Sequence, residues 1–351
     1  MTHEAEFPPE LGALNDMPRA RLFSGNTPLQ PMPNLARACG DRGEMFVKRD
    51  DCTELAFGGN KVRQLEFYLG EAARRGADTV LITGAVQSNF VRLAAAGARL
   101  LGMDCHIQLE ERVAKDDPLY RSSGNVLIDR LLGAHLHSYP EGEDEAGADR
   151  QLGEIAEGLK AEGRTPYIIP LSPGHKPLGA LGYVVAAHEL LGQLKADGLH
   201  IDEIVVASGS GNTHGGLLFG LRALGSDITV TGICVRRDAE AQRPRLLARC
   251  AEIADLLGIA NKVTSGDVIV SDEFLAPGYG LAGPACREAM VLGAQAEALM
   301  LDPTYTGKAM AGAIASARSG PSGRAILFLH TGGTPAIFAY QNDMLAALQG
   351  G

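Results

Sequence analysis

The chain has 351 residues, 45% apolar and 21% charged, with a formal charge of −10. That length exceeds what one hydrophobic core usually organises, so two domains are expected. The acidic balance and the absence of Trp argue against a nucleic-acid groove, and no apolar run reaches membrane-spanning length. The first residues, Met1–Glu6, carry neither part of a signal peptide, so a cytoplasmic location is the expectation. Six cysteines without a C-x-x-C pair read as reduced thiols, and the nine histidines have no close ligand spacing, so no metal site is expected.

In chain order, strands are predicted at Met45–Lys48, Thr79–Thr83, Cys105–Leu109, Tyr167–Ile169, Glu203–Ala207, Thr229–Val235 and Ala325–Leu329. Between them lie helical patterns at Asn60–Arg75, Asn89–Leu101, Val126–Leu132, Gly179–Lys195 and Gly215–Leu224. Such alternation predicts an α/β fold with two open, mainly parallel twisted sheets covered by helices. The charged segment Glu143–Arg164 reads as an exposed helix near a domain boundary. The working division is a large domain over 1–61 and 166–351 and a small one over 62–165. In sheets of this kind ligands bind at the carboxyl ends of the strands.

Three segments carry candidate chemistry. Phe57-Gly58-Gly59-Asn60-Lys61 sets a lysine after a Gly-Gly turn at a helix entry. There the backbone can approach a ligand, and an amine that is desolvated becomes neutral enough to attack an aldehyde. Read from the residues alone, a surface lysine at a helix start fits as well. Thr83-Gly84-Ala85-Val86-Gln87-Ser88-Asn89 runs from a strand end into a helix, with Ser88 or Asn89 as cap. The N–H groups beyond it suit a carboxylate, or serve simple capping. Ser208-Gly209-Ser210-Gly211-Asn212-Thr213-His214 joins an apolar strand to a helix, so its N–H groups can curl around a phosphate. It lacks the Lys of a P-loop, and His214 replaces the third glycine of a dinucleotide fingerprint, which leaves a nicotinamide oxidoreductase with little to stand on.

These segments, with Gly278-Tyr279-Gly280, Asp302-Pro303-Thr304-Tyr305-Thr306-Gly307-Lys308 and His330-Thr331-Gly332-Gly333, occur in one order over about Pro28–Tyr340. In that order the chain resembles the D-cysteine desulfhydrase and 1-aminocyclopropane-1-carboxylate (ACC) deaminase family. That family comprises pyridoxal-5′-phosphate (PLP) enzymes of the tryptophan synthase β-type fold, with PLP in the cleft between a large and a small domain. The resemblance implies that Lys61 carries PLP as a Schiff base, that Asn89 binds its phenolic oxygen and that Ser88 contacts the substrate carboxylate. It implies a phosphate cup of Gly209, Ser210, Gly211, Asn212 and Thr213. Tyr305 is implied to pack on the pyridine ring, Thr306 to offer a neutral hydroxyl to its nitrogen, and Tyr279 to point at the substrate.

The implied reaction is α,β-elimination of a small β-substituted amino acid, with Lys61 or Tyr279 as the base. D-cysteine, giving pyruvate, sulfide and ammonia, ranks ahead of L-cysteate, and ACC comes last. Thr306 matches the desulfhydrases, whereas ACC deaminases carry Glu there. Phe90 matches neither pattern, and Ser172-Pro173-Gly174-His175-Lys176-Pro177 departs from the desulfhydrase Gly-Gly-Ser. For a distal substrate anion, Lys176, His175 and Arg92 are the candidate cations. A PLP-binding protein without turnover is the alternative from another class. A homodimer is expected, with the small amino acid as the one other partner.

Overall fold

The computed structural model describes residues 6–171 and 174–349. Its first elements are β1 (Leu29–Pro31), α1 (Pro33–Ala38), β2 (Glu44–Arg49) and α2 (Lys61–Arg74). Then come β3 (Thr79–Ala85), α3 (Asn89–Leu100), β4 (Asp104–Glu110), α4 (Pro118–Ser122), α5 (Gly124–Leu131) and β5 (His135–Tyr139). They are followed by α6 (Glu145–Ala161), β6 (Pro166–Ile169), α7 (Leu178–Asp197), β7 (Glu203–Ser208) and α8 (Asn212–Ala223). The rest comprises β8 (Thr229–Cys234), α9 (Ala239–Leu257), β9 (Ile269–Ser271), α10 (Pro284–Glu297), α11 (Thr306–Ser319), β10 (Ala325–His330), α12 (Ala336–Ala339) and α13 (Gln341–Gln349).

The strands form two sheets, as the alternation predicts. One has the order β1-β2-β10-β7-β8-β9, the other β5-β4-β3-β6. Among the described residues every pairing is parallel except the edge pair β1–β2. β3 and β10 are buried along their whole length, which is why Val80–Ile82 and Ala325–Leu329 read as apolar runs.

Two expectations need correcting. β6 pairs with β3, so the smaller sheet runs on to Ile169 and the division drawn at 165 cuts off its last strand. The Glu143–Arg164 segment is α6, and it is not simply exposed. Its Leu152, Ala156 and Leu159 are buried around Leu81 of β3, so the helix covers one face of the smaller sheet.

Two glycines bring the functional segments together. A Cβ on Gly182 of α7 would lie 2.2 Å from the Arg63 carbonyl oxygen, so α7 crosses α2 in near contact. A Cβ on Gly216 of α8 would lie 2.3 Å from the Ala180 carbonyl oxygen, so α8 crosses the same helix equally closely. α7 thereby holds the helix that starts at Lys61 beside the helix that follows the glycine-rich loop. Among the described residues no helix is long and apolar enough to cross a membrane.

Candidate active site

A cavity opens at the carboxyl ends of strands from both sheets. Lys61, Ser88, Asn89, Gly209, Ser210, Gly211, Thr213, Tyr279 and Tyr305 all line it. Asn212 and Thr306, expected among them, do not. The Asn212 side chain turns back toward Gly179 and Tyr68. The Thr306 hydroxyl donates to Asp302 Oδ1 at 2.7 Å and accepts from the Asp302 N–H at 2.7 Å. Both residues open helices, α8 and α11, and the Thr306 hydroxyl, fully buried on Asp302, is not offered to the cavity as expected.

Lys61 is the only lysine lining the cavity among the described residues. The buried lysines elsewhere are spent on structure. Lys48 Nζ is held by the Thr27 carbonyl, Glu189 and Gln193, and Lys308 Nζ by the carbonyls of Leu275 and Gly278. Lys61 Nζ has Gln64 Oε1 at 3.4 Å and the Phe90 ring centroid at 4.7 Å. With so little to stabilise its charge, burial lowers this amine to about 8. Desolvation is the cause.

The first turn of α2 is clamped just beyond Lys61. Arg63 donates to both oxygens of Asp50 and both of Glu189, while Tyr183 donates to Asp50. Burial opposes these charges, but the surrounding partners hold Asp50 and Glu189 below the usual carboxylate range. A buried, fully paired cluster of this kind fixes geometry.

The β3–α3 junction supplies the opposite wall. Ser88 Oγ accepts from the N–H groups of Phe90 and Val91, the N-cap pattern, at 3.2 and 3.4 Å. Among the described residues nothing accepts its hydroxyl proton, which suits a ligand. The third wall is the β7–α8 turn, where Gly211 has φ +94°, a conformation that favours glycine. Thr213 Oγ1 accepts from Asn60 Nδ2 at 2.8 Å and from Gln64 Nε2 at 2.9 Å. Its lone pairs are thus occupied and its own proton is directed elsewhere. Tyr279 and Tyr305 close the site with their hydroxyls 2.6 Å apart. Burial raises the Tyr305 phenol well above its ordinary value.

The model of the family described as "Pyridoxal-phosphate dependent enzyme" matches residues 20–332. The chain belongs to that family. It is 41% identical over 330 residues to a D-cysteine desulfhydrase of Salmonella choleraesuis (strain SC-B67), covering 93% of this chain and 97% of that protein. A D-cysteine desulfhydrase of Salmonella typhi matches to the same extent. Among solved structures, an ACC deaminase homologue superposes with a TM-score of 0.86 at 38% identity, covering 97% of this chain and 99% of that one. An O-ureido-L-serine synthase at 18% identity and TM-score 0.65 shares the fold.

The residues present fit PLP. An amine lowered to about 8 suits an aldehyde. The first N–H groups of α8 lack intrahelical partners and, with the Thr213 proton, suit a phosphate.

The sequence missed the cations of the site. Arg112, after β4, and Arg236, Arg237 and Arg245, after β8 and on α9, line the cavity. Glu110 pairs with Arg112 at 2.7 Å, and Glu145 with Arg236 at 2.9 Å and Arg237 at 3.2 Å. Burial lowers Arg237 and Arg245. Of the cations expected instead, Arg92 is fully buried beneath the site, and His175 and Lys176 are exposed and do not line the cavity. Ser172 and Pro173 lie outside the described residues. The Val235-Arg236-Arg237 run after a strand was the available signal.

Proposed function

We propose that this PLP-dependent lyase catalyses α,β-elimination of a small β-substituted amino acid, with D-cysteine giving pyruvate, sulfide and ammonia. The observation that carries the reading is the Lys61 amine, lowered to about 8, between a carboxylate-type helix end at Ser88 and a phosphate-type one at Thr213. In this reading Lys61 is the covalent attachment point and the Gly209–Thr213 turn takes the phosphate. Asn89 meets the ring oxygen, Tyr305 packs on the ring, and Ser88 with the α3 N–H groups receives the substrate carboxylate.

Bound PLP supplies the electron withdrawal that makes the substrate Cα–H acidic. With PLP held at Lys61, the Lys61 Nζ would be the group placed to receive that proton. Departure of the Cβ substituent leaves a product that hydrolyses to pyruvate and ammonia. The Tyr279 hydroxyl, bonded to Tyr305, is the second group able to move a proton.

The D-cysteine desulfhydrases of Salmonella support this substrate. A specific observation favours a second one, L-cysteate. Four arginines at the cavity face three carboxylates, Glu110, Glu145 and Asp149, a balance that suits a sulfonate. Pyruvate release from D-cysteine, β-chloro-D-alanine, L-cysteate and ACC is the test, with sulfide and sulfite measured separately. Turnover of ACC alone would reject both readings. A purified protein that binds PLP and releases pyruvate from none of them would make it the cofactor-binding protein without turnover.

The protein is further read as a cytoplasmic homodimer. Its six cysteines are free, five of them buried, which suits a reducing compartment. Leu127 and Leu131 of α5 are exposed apolar side chains, which suits a subunit contact. Sedimentation giving twice the 36.9 kDa chain mass supports the dimer, and a monomer refutes it.

A further inference from the structure

Beneath Asn89 lies a buried polar chain that the proposed reaction does not use. Asn125, at the start of α5, is fully buried. Its Oδ1 accepts from Arg92 Nε at 2.7 Å. Its Nδ2 donates to the Gln87 carbonyl at 3.0 Å and to Asn89 Oδ1 at 2.9 Å. Its backbone N–H donates to Gln87 Oε1 at 2.9 Å. Arg92, also fully buried, donates onward to the carbonyls of Ala56 and Gly58, in the turn that leads to Lys61.

The chemistry of these partners fixes which way each amide points. A guanidinium can only donate, so the Asn125 atom facing Arg92 is the oxygen. A backbone carbonyl can only accept, so the other end of Asn125 is the nitrogen. That nitrogen also faces Asn89, so the Asn89 atom turned toward it is the oxygen. The Asn89 amide therefore presents its NH₂ group to the cavity.

We infer that Asn125, oriented by Arg92 and Gln87, is a positioning residue that makes Asn89 a hydrogen-bond donor toward the cavity. The inference rests on the proposed reading of Asn89 as the partner of the cofactor's ring oxygen. A donor there stabilises an anionic oxygen, whereas a reversed amide would set a carbonyl oxygen against it. Arg92 ties the same chain to the Lys61 turn, so the polarity of Asn89 and the placement of Lys61 share one support.

The test is the pH dependence of the visible absorption of the purified holoenzyme, in the parent, Asn125→Asp, Asn89→Ala and the double variant. Asn125→Asp keeps the shape and the Arg92 partner but cannot donate to Asn89. Asn125→Ala, which has no side-chain group to donate to Asn89, is the second variant should the aspartate fail to fold. Each single variant is expected to shift the spectral titration and lower kcat about tenfold or more. In the Asn89→Ala background the Asn125 change is expected to add nothing. A shift in Asn89→Ala with none in either Asn125 variant overturns the inference and leaves the Asn89 reading standing. Effects that add in the double variant also overturn it, because Asn125 then acts by another route. An unshifted Asn89→Ala overturns the inference and the reading together.

Discussion

Asn60 Nδ2 donates to Thr213 Oγ1 at 2.8 Å, so the residue before Lys61 is bonded to the last residue of the proposed phosphate turn. This bond spans the site and joins the attachment point to the anion cup. Thr213→Val keeps the shape but strands the Asn60 and Gln64 amides and removes one donor to the phosphate. Loss of a charge-assisted bond costs about 1.5–3 kcal/mol, so PLP affinity should fall by about ten- to a hundred-fold. Equilibrium dialysis of PLP measures it, and unchanged affinity would show that Thr213 does not serve the phosphate.

Ser210 lines the same turn, and Arg245 Nε donates to its carbonyl at 3.2 Å. Ser210→Ala should weaken PLP binding by up to the same amount, and Ser210→Asp should nearly abolish retention because it adds a like charge. Equal cofactor content in the parent and both variants after dialysis would place the phosphate elsewhere.

The lowered Lys61 amine gives a kinetic signature. With a value of about 8, about one molecule in ten is neutral at pH 7, against about one in three thousand for an ordinary lysine. Reconstitution of the apo-protein with PLP should quicken about tenfold per pH unit below pH 8 and level off above it. Stopped-flow absorbance follows the rate. A rise that continues unchanged to pH 10 would mean that burial does not lower Lys61.

Asp129 of α5 is buried, and among the described residues neither of its side-chain oxygens has a hydrogen-bond partner. Burial raises it to about 8, against 3.8 in its ordinary state, and Arg92 offsets this only in part. A carboxyl raised on folding binds more protons in the folded state than in the unfolded one. Its contribution to stability therefore falls as pH climbs from about 4 to about 8 and is level above. Asp129→Asn removes that slope, by at most about 1.4 kcal/mol per pH unit, and the variant should gain on the parent as pH rises. Urea unfolding at pH 5 and pH 8 compares them. Parallel losses in both proteins would refute the assignment.

Much of this was legible in the sequence because it follows from short-range rules. β3, β7 and β10 are buried runs of Val, Ile, Leu and Phe, and Ser88 is an N-cap that names its own helix start. β5 was not legible. His135-Leu136-His137-Ser138-Tyr139 lacks β-branched residues and gains its strand from pairing with β4. β1 and β9, three residues each, are too short for any period to register. Helix α9 was hidden by Pro244, which sits inside it near the N-terminal end. The cavity arginines and Asn125 were out of reach for another reason. Arg112 and Arg237 meet only through the tertiary arrangement, and Asn125 shows its role only once Gln87, Asn89 and Arg92 surround it.

The most direct test of the account is where the cofactor attaches. Borohydride reduction of the holoenzyme fixes an imine, and peptide mapping then locates the labelled lysine. The account predicts the label on Lys61, the one lysine that lines the cavity among the described residues. Label on Lys48, Lys176 or Lys308 with Lys61 unmodified would contradict it.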